Sequence, residues 1–513
     1  MFMSRKRITH IVLFAAAVLS LSIAVVTFLR RDLTSYQENE ITCLDIPIIP
    51  REKLPSNAEY IHQDLSSLLR YCNSIPAIDT QTDTIYISGN YDSRNPADLP
   101  GTLNILSGSY HLLFLEDPLW QDLKTAAADN HLFELLITSD GIHYMKYNVV
   151  FTTLPVLCME GKEYAREEAR IIYAGNFCLQ TPPSQSENAP IIQESQCQWH
   201  IRGVTSSTLP HKPYKISLKR GSGQNNHLEL LGLGADDDWI LNSMNVDSLS
   251  IREKLFMDLW NENAKTCTFH YPMSTGQYVE AVINQEYCGL YYLQRRVDAK
   301  YLNINKQDIL LKGNSSWVPA TVEEAYRIIS SPYSDEQTYS IVKDLCTGTL
   351  FHGVDPDNFI DVNLFLQFFT ASDNIGYKNM YYLIHDDDGE YTVTFIPWDT
   401  DMSLGIIWTT DFALDYPFSL SWNLMRKETH LVKEKCPQYD EKIGLRWHEL
   451  RNTVFREDHI LEIIDNAEAY LTQSGALLRN NEKWGKYFSS DSMDSLRQYI
   501  PERLAWLDNL YRP

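Results

Sequence analysis

Apolar and polar positions change their period several times along this chain. Between Thr84 and Phe151 they run in short alternating stretches, Ile85-Tyr-Ile-Ser, Tyr110-His-Leu-Leu-Phe-Leu and Tyr147-Asn-Val-Val-Phe, with turn residues between them. A period of two puts successive side chains on opposite faces of a strand, so this region is expected to form a small β-rich, sandwich-like domain. Farther on, Gln198-Trp-His-Ile-Arg reads as a strand. Tyr214-Lys-Ile-Ser-Leu-Lys sets Tyr214, Ile216 and Leu218 on one face and Lys215, Ser217 and Lys219 on the other. Tyr278–Ile283 and Tyr287–Leu293 flank Asn284-Gln285-Glu286, a hairpin signal. Asp247 is placed to N-cap a helix running to about Asn261. From Asp361 onward the period lengthens to that of helices, clearest in Ile443–Leu478 and Asp494–Leu510. One hairpin interrupts them, with Met380–Ile384 and Tyr391–Phe395 as strands and Asp386-Asp-Asp-Gly389 as turn.

Two stretches depart from these patterns. Arg5, Lys6 and Arg7 precede an uncharged run of 19 residues, Ile11–Leu29, which Arg30 and Arg31 close. That run is long enough to cross a bilayer as a helix. Its small residues, Ala15–Ala17, lie inside it rather than after it, which favours an uncleaved anchor over a cleaved signal peptide. The basic excess on the N-terminal side orients the rest of the chain outward. The second stretch, residues 32–80, carries Pro47, Pro50 and Pro55 and then Leu65–Leu69, and reads as a stalk with a short helix. The expected plan is a membrane anchor at 1–31 (in contact with lipid through 8–29), the stalk at 32–80, a β-rich accessory domain at 81–152 and the main domain at 153–513. Within the main domain, Ser184–Asn188 reads as a polar loop.

Composition narrows the function. Hydrophobic residues make up 44 % of 513, enough for a large core, which excludes wholesale disorder. The net charge is −23, and since residues 1–31 hold five bases and no acid, the remainder is more acidic still. Such a surface repels nucleic acid and anionic lipid headgroups. None of the nine cysteines forms a C-x-x-C pair, which argues against a zinc ribbon, and an outward location permits disulfides.

Three constellations carry chemistry. In Trp398-Asp399-Thr400-Asp401, two carboxylates at i and i+2 leave a strand and can converge on one hard cation through oxygen. In Asp373-Asn-Ile-Gly-Tyr-Lys-Asn379, an Asp followed by an Asn is a pairing that phosphoryl transfer uses, the Asp to orient or deprotonate a hydroxyl and the Asn oxygen to bind metal. The same stretch also suits helix termination with Gly376 as the C′ residue. In Ile201-Arg-Gly-Val-Thr-Ser-Ser207 with His211-Lys-Pro-Tyr-Lys-Ile216, a polar loop between strands offers hydroxyls and N–H groups beside Arg202 and Lys215, a reasonable phosphate cradle. Gly221–Asn226 has glycines but neither phosphate-loop pattern, and reads as a hairpin tip. Asp236-Asp-Asp238 reads as a solvated turn. Neither G-x-S-x-G nor H-E-x-x-H occurs.

In this order the segments resemble the spore-coat CotH kinase family. The matching pieces run from Leu154-Pro155 almost to the C-terminus: Ile201-Arg-Gly with its serines, Lys212–Ile216, Trp239-Ile-Leu, Asp247-Ser248 with Arg252, Tyr278-Val-Glu, Gly289-Leu-Tyr, Asp373 with Asn379 and Tyr382, and Ile396-Pro-Trp-Asp-Thr-Asp-Met-Ser-Leu-Gly405. The resemblance implies an α+β, atypical protein-kinase-like fold with a β-rich N-terminal lobe and a helical C-terminal part. It implies transfer of the ATP γ-phosphate to Ser or Thr of a cell-surface or spore-coat protein, with Mg²⁺ or Mn²⁺. The alternative is a non-catalytic envelope-assembly or adhesion protein that keeps the fold. Carried over, Asp399, Asn379 and Asp401 would hold metal and Asp373 would be the catalytic base. Arg202, Ser206 and Lys215 would contact nucleotide phosphates, and Trp398 would shape the pocket. Arg295 stands where the family places a glutamate, so Glu280 is the candidate partner for Lys215.

Overall fold

The computed structural model describes residues 46–91, 102–161, 169–183, 190–267, 270–314, 319–374, 378–406, 426–485 and 492–512. The expected membrane segment, the Ser184–Asn188 loop and Gly376 lie outside them. Among the described residues no helix is long and apolar enough to cross a membrane.

The chain is α+β. Its first layer is a seven-stranded sheet in the order Ile48–Ile49, His111–Leu115, Phe133–Thr138, His143–Thr152, Thr84–Ser88, Ala77–Asp79, with Glu59–Tyr60 also paired to His143–Thr152. Residues 46–80, expected to be stalk, thus enter this sheet. The short helix expected at Leu65–Leu69 is one 3₁₀ turn, Ser66–Leu68, running into the strand Leu69–Tyr71. The reason is burial: Ile46, Leu65, Leu69, Tyr71 and Ile78 all enter the same core as Phe114, Phe133 and Phe151.

A closed seven-stranded barrel follows, Val156–Gly161, Tyr173–Thr181, Ile191–Ile201, Tyr214–Lys219, Asp238–Asn242, Glu286–Arg295 and Gly276–Ile283. Strict alternation fills it. Trp199 lies opposite Ile216, and Ile216 opposite Trp239, in one buried row across three strands. At Gly161 a Cβ would stand 2.3 Å from the Trp199 ring, so only glycine lets the first strand pass this row. Asn284 and Gln285 both take positive φ and close the expected hairpin.

Below the barrel lies a four-stranded sheet, Tyr326–Ser330, Ile309–Gly313, Met380–Asp387 and Glu390–Pro397, packed with the helices Arg252–Ala264, Pro356–Phe369, Tyr439–Arg451, Glu457–Gln473 and Met493–Leu510 around the largest core. The Pro356–Phe369 helix ends on Thr370 in left-handed conformation. The Arg252–Ala264 helix starts five residues after Asp247, yet Asp247 still serves its first turn. Its Oδ2 accepts from the N–H groups of Ile251 and Arg252, each at 2.7 Å.

One buried ion pair ties the three parts together. Glu280 on the barrel accepts two hydrogen bonds from the Arg479 guanidinium, at 2.8 and 2.7 Å, and one from Tyr287 Oη at 2.6 Å. Tyr287 stacks on Tyr86 of the first sheet, centroids 4.5 Å apart. Arg479 also donates to Asn130 Oδ1 and to the Ser474 carbonyl. Glu280 is 0 % exposed. Removing one partner of such a pair strands a buried charge, so Arg479→Ala is expected to lower stability by about 3–5 kcal/mol. A urea titration checks this. The paired replacement Glu280→Gln with Arg479→Met is expected to recover most of the loss, and an unchanged midpoint for Arg479→Ala would contradict the clamp.

Candidate functional site

The floor of the site is built where two strands of the lower sheet end. Pro397 closes the strand Glu390–Pro397, and the Trp398 N–H returns to the Asn379 carbonyl at 3.1 Å. Asn374 clamps both ends, its Nδ2 donating at 2.9 Å to the carbonyls of Asn379 and Trp398. The backbone then turns sharply, with Asn379 at φ 57° and Asp399 at φ 58°. Left-handed conformation at non-glycine residues is costly and gathers at functional sites.

These turns bring the predicted acids together. Asn379 Nδ2 donates to Asp373 Oδ2 at 2.9 Å, and Lys378 Nζ to Asp373 Oδ1 at 2.6 Å. With its N–H₂ engaged, the Asn379 amide has its oxygen to offer a cation. Burial raises the Asp373 carboxyl above its usual range and the charge of Asp399 adds to this, while Lys378 and Asn379 oppose it. Asp401 is driven well above the carboxylate range by burial and then by Asp399, Glu253, Asp247 and Asp373. Glu253, in the first turn of the Arg252–Ala264 helix, is raised by burial and then by Asp399.

Cations line the opposite side. Trp398 is 2 % exposed, and its ring lies 4.9 Å from Lys312 Nζ and 6.0 Å from the Arg202 guanidinium. Tyr381 supports Lys312 from a second side at 5.0 Å. Burial, with the neighbouring charges of Arg202, Arg327 and Arg296, pushes Lys312 down to about 7 against the pull of Asp399. Arg202 leaves the strand Ile191–Ile201 just before Gly203, which has φ 89° and packs against Ser206 Oγ so closely that a Cβ would meet it at 2.1 Å. This folds the Ser206–Thr208 turn back over the end of the strand.

Asp373, Asn379, Trp398, Asp399, Asp401 and Arg202 therefore share one locality, with Ser206 on the loop beside Arg202. Lys215 does not join them directly. It lies on the outer face of the barrel wall, opposite Ile240, and its partner is Asp238 at 3.2 Å. Glu280, the expected partner, is held by Arg479 on another part of the barrel. Arg295 is not beside Lys215 either. It lies opposite the inward-facing Trp239 and binds Asp236 at 2.8 Å. Asp236-Asp-Asp238 is a charge hub rather than a solvated turn. Asp236 is 0 % exposed and takes Arg295 and Lys300, while Asp238 takes Ser217, Lys215 and Arg296. These donors hold the Asp238 carboxyl below its usual range although burial opposes them. Four bases demand the carboxylates, which is why an acidic run here is buried.

The donor set fits a divalent cation. Asp399, Asp401 and Asn379 are hard oxygen ligands. Nearby polar atoms are enclosed without hydrogen-bond partners: Glu253 Oε1, Thr400 Oγ1 and Ser403 Oγ. Another grouping of possible ligands, Cys267, His270 and Asp361, already holds the Arg446 guanidinium, 2.7 Å from Asp361 Oδ1 and 3.2 Å from Cys267 Sγ. Sequence reasoning missed Lys312 and Glu253. The first closes an apolar run, Ile309-Leu-Leu-Lys-Gly, and the second is one helix-starting glutamate among many. Nothing local marks either.

A family model described as CotH kinase protein matches residues 199–507, more than half of the chain. No curated protein matches it.

Lys312 gives the site a testable signature. An unfolded lysine titrates near 10.4, whereas folded Lys312 titrates at about 7. Between these values the unfolded chain binds more protons, so this residue makes stability climb as pH rises from about 7 to about 10. Lys312→Met is expected to flatten that part of the climb and to raise stability at neutral pH in the absence of nucleotide. Denaturation midpoints of both proteins across this range check it.

Proposed function

The chain belongs to the CotH kinase family, and on that premise we propose that it transfers the γ-phosphate of ATP to a Ser or Thr hydroxyl of a protein, aided by Mg²⁺ or Mn²⁺. The observation that carries this reading is the apposition of two opposite charge sets. Asp399, Asp401 and Asn379 offer oxygen ligands, while Arg202 and Lys312 face them across Trp398. Metal-bound polyphosphate needs both. Phosphoryl transfer relies on positioning and charge stabilisation rather than on covalent help from the protein.

The roles follow from position. Arg202 and Lys312 bind phosphate oxygens, with the Ser206 loop folding over them. Lys215, held with Arg296 on Asp238, adds positive potential from the barrel wall. Asp399, Asn379 and Asp401 would hold a divalent cation, which would neutralise charge on the phosphates. Asp373 accepts the proton of the attacking hydroxyl as the new O–P bond forms and the bond to the ADP oxygen breaks. Burial raises its affinity for a proton, which strengthens it as a base. Lys378 and Asn379 fix its two oxygens. Trp398 keeps the floor dry. We place the substrate at the cell surface or spore coat, with residues 8–29 as the anchor.

The full-length protein, given ATP labelled at the γ-phosphate with Mn²⁺ and an envelope extract, is expected to transfer label to protein. Asp399→Ala is expected to abolish transfer, and Asp373→Ala to slow it by about 10²–10⁴-fold. Equal labelling by Asp399→Ala would refute this assignment of the site.

A further inference from the structure

The strand Tyr326–Ser330 forms one edge of the lower sheet and carries a base that the fold itself does not use. Arg327 is exposed and makes no hydrogen bond or ion pair among the described residues. It lies directly opposite Lys312 in the antiparallel pairing with Ile309–Gly313. Opposed residues share a face, and like charges in that relation repel. Lys312 is drawn inward, against the rings of Tyr381 and Trp398. Arg327 stands one strand farther out, a spacing of about 4.8 Å, beyond the two bases assigned to phosphate.

Arg327 also lines an open groove of about 440 Å³ at this edge, with Ser330, Ser331, Tyr333, Asp335 and Tyr339. Simple addition of a strand is blocked where Tyr339 Oη donates to the Tyr326 carbonyl at 3.0 Å. Recognition in the groove therefore goes through side chains. Asp335 sits in the first turn of the helix Asp335–Asp344, where the helix dipole favours an acid. Tyr333 is tied at its hydroxyl to Asp386, at 3.3 Å, and leaves its ring exposed. The charge that remains to be matched is that of Arg327.

We propose that this groove takes the acceptor segment of the protein substrate, and that Arg327 selects segments with Asp or Glu close to the acceptor Ser or Thr. Such a carboxylate supplies the anion missing beside Lys312 and Arg327, and a guanidinium can bind it through two parallel hydrogen bonds. The inference rests on the phosphate-transfer reading, since it sets the acceptor beside the bases assigned to phosphate. Arg327 determines specificity and touches no reacting atom.

The test uses the full-length protein and two fluorescent peptides, each with one central serine, flanked on both sides by glutamate or by lysine. The chain as a whole carries −23 and repels the glutamate peptide, so a preference for that peptide reports a local site. Fluorescence anisotropy without nucleotide is expected to show the glutamate peptide bound at least about tenfold more tightly. Arg327→Glu is expected to reverse the order while leaving the calorimetric affinity for ATP with Mg²⁺ unchanged. It is also expected to melt at or above the wild-type temperature, because the like charge opposite Lys312 has been removed. Equal binding of the two peptides, tighter binding of the lysine peptide, or an unchanged order in Arg327→Glu would overturn the proposal. So would loss of ATP affinity in Arg327→Glu, which would make Arg327 a nucleotide contact. Selective binding of the glutamate peptide with no label transfer from ATP would support the groove and count against the kinase reading. Equal transfer to both peptides would keep the kinase reading and remove the groove.

Discussion

Repulsion between carboxylates gathered in one poorly hydrated place is the constraint around which this molecule is arranged. Like charges gathered at low dielectric raise one another's affinity for protons. Asp373, Asp399, Asp401 and Glu253 nevertheless press on one another. They stay together because neutral amides and main chain hold them from behind. Asn374 ties two strand ends, Asn242 grips Glu253, and Asn379 grips Asp373. The loop that carries Asp401 is pinned at its far end, where the Leu404 N–H reaches the Phe369 carbonyl at 2.6 Å. Lys378 binds Asp373 directly, and Arg202 and Lys312 stand against Trp398 nearby. Burial and this crowding push Asp401 and Glu253 toward their neutral, protonated forms.

The features that local chemistry decides were legible in the sequence. The alternation of Tyr214–Lys219 gave the inner and outer faces of the barrel wall correctly, and each hairpin was visible from its turn residues. The acids at 373, 399 and 401 were visible because they sit on short motifs. Features set by distant partners were not. Glu280 could be read as a partner for Lys215 only while Arg479, about 200 residues away, was out of view. The run Asp236-Asp-Asp238 looked solvated because Arg295, Arg296 and Lys300 come from another strand and the helix after it. Lys312 and Glu253 carry no motif, and their meaning comes from the charges the fold brings to them.

The contrast between Lys215 and Arg295 shows what register adds to pattern. Both are bases on barrel strands, and nothing in composition separates them. Lys215 lies opposite Ile240 and Arg295 opposite Trp239, one residue apart on the shared strand. Because strand side chains alternate, that single step sends the two bases to opposite faces. One helps to line the wall above the acids, and the other braces Asp236.

The closure of the barrel bears on how the chain acquires its shape. Val156 pairs in parallel with Glu280, so the two staves that close the barrel are separated by more than a hundred residues. Pairings this distant in sequence must overcome loop-closure entropy before they yield any contact, and they slow folding. The strand Val156–Gly161 can begin a hairpin with Tyr173–Thr181 early, but its outer edge stays bare until Gly276–Ile283 has left the ribosome. An unpaired edge of the barrel is exposed to misassociation in the meantime.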